Sequence, residues 1–138
     1  MSSEGCITRA QQLRHSGESA RRRDGAVARK CYEEAVALFR EVGEPLVLAH
    51  TIRHLGDVYR EEKCPELAEP CYLEALGLYR SHEGASSLDL ANAVRSLAVL
   101  RWEQTRTLWD EARQLYTALN IDAGIKESTA RLTALSMH

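Results

Sequence analysis

The chain has 138 residues, 44% hydrophobic and 28% charged, the profile of one ordinary soluble domain, which excludes a disordered chain. A net charge of -2 and a pI near 6.2 exclude a global field that would draw it to nucleic acid or an anionic membrane. No apolar run approaches the ~20 residues of a membrane span. The opening MSSEGCITRA lacks the basic start and apolar run of a signal peptide, so a cytoplasmic location is expected.

The first recognisable unit spans residues 10–42. Leu13-Arg14-His15-Ser16-Gly17-Glu18 opens it, Asp24-Gly25 marks an inner turn, and Ala28, Cys31, Tyr32, Glu34 and Ala35 form a second apolar stripe. Val42-Gly43-Glu44-Pro45 then stops one helix and starts another, with Gly as C-cap and Pro in the first turn.

The second unit, residues 49–81, repeats the first at an offset of 39 residues and then 40 after its turn. Ile52, Leu55, Gly56 and Tyr59 share one helix face, and Ala68, Cys71, Tyr72, Ala75, Leu76 and Tyr79 share another. The small Gly56 lets a neighbouring backbone approach, and Tyr72 can lie across the space it leaves. Pro65 fits the first turn of the second helix, whereas Pro70 fits best if that helix begins near Glu69 or bends there. Cys31 and Cys71 hold the same repeat position beside a Tyr. With no CxxC pair in the chain, packing in a reducing compartment is expected of them, rather than disulfides or zinc.

The spacing Ile52, Leu55, Gly56, Tyr59, Ala68, Tyr72, Ala75 resembles the tetratricopeptide repeat, a 34-residue helix–turn–helix unit, here in the longer form similar to kinesin light chain repeats. The resemblance implies an all-α solenoid of antiparallel helix pairs whose first helices line a concave groove for a peptide or partner helix.

Residues 91–119 form a third, abnormal unit. Val94-Arg95-Ser96-Leu97-Ala98 answers Ile52-Arg53-His54-Leu55-Gly56, and Leu108-Trp109-Asp110-Glu111-Ala112 answers Cys71-Tyr72-Leu73-Glu74-Ala75. Yet Ala98 to Ala112 is 14 residues where Gly56 to Ala75 is 19, so the residues of the turn are missing. Either Glu103-Gln104-Thr105-Arg106 makes a cramped turn, or the halves fuse into one helix over residues 88–119. The unbroken apolar stripe and the absence of Gly or Pro favour fusion. A fused helix could not fold back on itself. Its large apolar side chains, each worth about 1.5–3 kcal/mol when buried, would then call for a second copy of the chain in an intertwined homodimer. Trp102, Trp109, Ala112, Leu115, Tyr116 and Leu119 are the expected interface. Ser86 or Ser87 can cap this helix. A closing helix over residues 121–137 follows, capped by Asn120 or Asp122, with Ile125, Leu132 and Leu135 inward.

By the same resemblance the groove is lined by Arg14, His15, Glu18, His50, Arg53, His54, Asp57, Asn92, Arg95, Ser96 and Val99. Arg14, Arg53 and Arg95 recur at one repeat position, and such a ladder suits a carboxylate or acidic segment. The competing expectation is solvated i,i+4 pairing, Arg14 with Glu18 and Arg53 with Asp57. The family's carboxylate clamp for chaperone tails is absent, because its Lys, Asn and Arg are not at the matching positions.

His15, His50 and His54 are the nearest thing to a metal set or a ligand-sensing module, but no carboxylate or Cys stands beside them in sequence, so no metal and no cofactor are expected. The basic cluster Arg21-Arg22-Arg23 with Arg29-Lys30 lacks an aromatic platform and is read as a solvated helix end. No nucleophile–base set, phosphate loop or paired acids appear, so no enzymatic activity is expected. The expected function is that of a scaffold or adaptor with a protein or peptide partner.

Overall fold

The computed structural model describes residues 2–137. Among them are six α-helices and no strand. They are α1 (Ser3–Ala20), α2 (Gly25–Val42), α3 (Pro45–Glu61), α4 (Pro65–Ser81), α5 (Ser87–Leu119) and α6 (Asp122–Ser136). Successive helices pack as adjacent pairs, α1 with α2 and α3 with α4, with α2 joining the pairs through α3.

The helix ends follow the local chemistry. Ser2 Oγ accepts from Gly5 N at 3.0 Å, and Asp24 Oδ1 accepts from Val27 N at 3.2 Å, each satisfying an otherwise orphaned N–H. Gly43, at φ 76°, ends α2, and Pro45 and Pro65 begin α3 and α4. Ser86 and Asp89 exchange a reciprocal pair of side chain–backbone bonds at 3.1 and 3.2 Å, so Ser86, not Ser87, caps α5.

Two expectations are corrected at this level. α4 begins at Pro65 and carries Pro70 inside it, so the later start near Glu69 is not adopted. Pro70 is exposed, which leaves the carbonyl it cannot serve open to water. At the other end, neither Asn120 nor Asp122 is the N-cap of α6; Ile121 holds that position without a side-chain bond. Asn120 adopts φ 56° and instead closes α5, its N–H reaching Thr117 O at 3.2 Å while Ile121 N reaches Tyr116 O at 3.0 Å. Asn tolerates the left-handed region because its short polar side chain bonds locally.

Within each of the first two pairs, a Tyr ring lies on a glycine. A Cβ added at Gly56 would stand 2.7 Å from Tyr72 Cε1, and one added at Gly17 would stand 3.0 Å from Tyr32 Cδ2. Both rings are fully buried. The glycines therefore set how closely α1 approaches α2 and α3 approaches α4. Ion pairs on the rim bridge the pairs: Arg21 grips Glu61 with Nε and Nη2, Arg40 holds Glu74 at 2.5 and 2.7 Å, and Arg29 meets Glu62 at 3.4 Å. Such exposed pairs contribute only about 0.2–1 kcal/mol each, so the rings and aliphatic core carry the packing.

The third unit departs from this plan. α5 is one helix of 33 residues, about 50 Å long, and the cramped turn at Glu103–Arg106 does not form. The chain divides into two compact units, one ending at Leu97 and the other beginning at Ala98. The first holds α1 to α4 and the start of α5. The second holds the rest of α5 and α6. Inside the second unit α6 doubles back on α5: Gly124 lies under the Tyr116 ring, and Arg131 sits over Trp109 at 5.8 Å. Ser128 is fully buried, and Ile125, Leu132 and Leu135 are half-buried as expected.

The glycines make a graded test. Gly56→Ala should destabilise by about 1–3 kcal/mol, because the caged Tyr72 ring cannot retreat. Gly77→Ala, with nothing within 4 Å of its new Cβ, should stabilise by about 0.5–1 kcal/mol through helix propensity. Urea unfolding of the two variants should move in opposite directions; equal shifts would refute the ring-on-glycine spacer.

Candidate interaction site

The polar residues of the first unit converge on one face built by α1, α3 and the start of α5. His54 is its centre. Its ring stacks on Tyr32 at 6.2 Å between centroids, and its Nδ1 lies 3.9 Å from Asp57. Burial lowers the His54 pKa first, with Arg53, Arg21 and Arg14 acting in the same direction against Asp57. Three guanidinium groups therefore bear on one imidazole, and the ring is neutral at pH 7.

His50, one turn earlier on α3, is neutral for the same leading reason, burial. The Tyr79 hydroxyl meets its Nδ1 at 2.5 Å. Arg53 Nε remains buried without a hydrogen-bond partner, as does His54 Nδ1.

Asp57 is the acidic counterpart. It accepts from the Tyr72 hydroxyl at 2.5 Å and lies 3.8 Å from Arg21 Nη2. Burial and this bond push the Tyr72 pKa far up. Neither i,i+4 pair allowed by the spacing, Arg14–Glu18 or Arg53–Asp57, is an ion pair among the described residues. The Asp57 carboxylate is taken instead by Tyr72 on α4 and Arg21 at the end of α1.

The remaining groove candidates sit more loosely. His15, Glu18 and Arg95 are exposed, Arg14 and Asn92 are half-buried, and Ser96 returns its hydroxyl to Asn92 O at 2.9 Å. His15, His50 and His54 are not drawn together into a ligand set; among the described residues no three His, Cys, Asp or Glu side chains are close enough to hold a metal ion. Among the described residues, no helix is long and apolar enough to cross a membrane.

Sequence reasoning missed Arg21, which it left in a solvated basic cluster. Its signal was the 14–18–21 spacing, which continues the groove-facing stripe of α1 onto the helix end. The Tyr rings beside the histidines were read as core alone. Of the expected interface on α5, Trp109 and Tyr116 are half-buried under α6 and Ala112 is half-buried. Leu115 and Leu119 are exposed, as is Trp102 beneath the Arg106 guanidinium.

The neutral histidines predict a pH dependence. The folded pKa values lie below the unfolded 6.5, so the unfolded chain binds more protons once the pH falls through 6.5. Stability should drop from there and level off below the folded pKa values. The urea midpoint followed from pH 8 to 5 measures it, and His50→Phe with His54→Phe should flatten the profile. A midpoint that is flat in the parent chain overturns the burial argument.

No family model, no protein of curated function and no solved structure matches this chain.

Proposed function

We propose that the chain is a tetratricopeptide-like adaptor that takes an acidic peptide segment along the face of α1 and α3. Arg53 carries this reading: its side chain is half-buried on α3, and its Nε is buried with no acceptor. A buried donor left unmade costs about 1–3 kcal/mol, and an incoming carboxylate would relieve that. Arg14 stands at the equivalent repeat position and forms no ion pair among the described residues. Asp57 and Glu61 are occupied by Arg21 and Tyr72, so they do not cancel Arg14 and Arg53.

The partner chemistry follows from the charge. Carboxylates spaced along an extended or helical segment would meet Arg14 and Arg53 in turn, and bidentate contact would fix direction. The neutral His50 and His54 add positive charge when protonated, so affinity for an acidic segment should rise as the pH falls below 6.5.

A fluorescein-labelled decaglutamate peptide, read by anisotropy at low salt, is the probe. Arg53→Ala and Arg14→Ala should each weaken it about tenfold, the scale of one charge-assisted hydrogen bond. Lys126→Ala, an equal charge change on exposed α6, should leave it unchanged. Equal losses at all three positions, or equal binding of decalysine, would count against a specific site.

A further inference from the structure

α5 carries both halves of an interface that its own chain does not close. In the second helix pair, Ala49, Ile52 and Gly56 are buried along one face of α3, and a Cβ at Gly56 would stand 3.2 Å from Cys71 Cβ on α4. The first pair repeats this contact between Gly17 and Cys31 at 3.3 Å. The counterparts of Ala49, Ile52 and Gly56 on α5 are Ala91, Val94 and Ala98, and all three are exposed. The counterparts of Cys71, Ala75 and Leu78 are Leu108, Ala112 and Leu115. Leu108 is 64% exposed and Leu115 is 58% exposed, where Cys71 and Leu78 pack against the core.

One unbroken helix cannot join these halves. Ala98 and Leu108 are ten residues apart on α5, about 15 Å along its axis. α6 does not supply the missing cover either, since it lies on the Trp109 and Tyr116 flank. The exposed Ala91, Val94, Ala98, Leu108 and Leu115, with the half-buried Ala112, fall in strict alternating steps of three and four with Arg101 and Thr105 between them. That is the seam of a two-stranded coiled coil.

We propose that the occupant is a second copy of this chain, with the two α5 helices pairing antiparallel about a two-fold axis beside Glu103. Small residues fill the first half of the seam and leucines the second. A parallel pair would set leucine on leucine and alanine on alanine. The antiparallel pair sets Ala98 on Leu108, Val94 on Ala112 and Ala91 on Leu115 of the other copy, large against small in each of these layers, with Arg101 meeting Thr105 in the layers between. This register is also the one that the Gly56–Cys71 contact dictates within the second pair, so two independent features agree. Each copy completes the third unit of the other, and both interfaces close at once.

Light scattering on the full chain from about 1 to about 100 µM should give twice the 15.5 kDa chain mass. Leu108→Glu with Leu115→Glu should yield a monomer of unchanged helix content, since both positions are exposed within one chain. The pair Ala98→Cys with Leu108→Cys should oxidise to a covalent dimer, whereas Ala98→Cys alone should not, because those two sites stand about 15 Å apart across the axis. A constant monomer mass overturns the proposal and leaves the seam to another protein. A dimer that survives both glutamates, or that fails to cross-link through the paired cysteines, overturns it equally.

Discussion

The spacing between paired helices depends on one contact, a tyrosine ring laid on a glycine. Tyr72 on Gly56 and Tyr32 on Gly17 bring the paired helices close enough for the alanines and aliphatic side chains between them to exclude water. The same ring then reaches the polar face: the Tyr72 hydroxyl ends on Asp57, and the Tyr32 ring supports His54. Core spacing and groove chemistry are therefore set by the same side chains. A change at the glycine would be felt at the imidazole.

This coupling explains why the polar face carries neutral histidines among arginines. His54 is half surrounded by rings and guanidinium groups, so its charged form has lost water and gained like-charged neighbours. Tyr32 and Tyr72 support this face from behind it.

In the second unit the ring-on-glycine contact recurs in reversed order. Tyr116 comes from the helix that precedes and Gly124 from the helix that follows. The reversal has a simple origin: α5 lacks the residues for a turn, so its second half meets α6 rather than its own first half. What remains uncovered is a leucine seam beside that hairpin. Burying such side chains is the main source of stability for helices of this kind, so their exposure marks the unsatisfied part of the fold.

The helices and their pairing were legible in the sequence because they rest on local chemistry. Apolar spacing, Gly43, Pro45, Pro65 and the missing turn at residues 103–106 predict the end of α2, the starts of α3 and α4 and the continuous α5 without long-range information. The groove face was legible in part, since Arg14, Arg53 and His54 follow from repeat register. The partners of each charge were not. Asp57 turned to Arg21 and Tyr72 rather than to Arg53, because those groups arrive from α4 and from the end of α1, far away in sequence. Likewise the side of α5 that α6 covers depends on the left-handed Asn120 and on where Gly124 meets Tyr116. Periodicity dictates which faces are apolar; only tertiary packing decided which of them stay open.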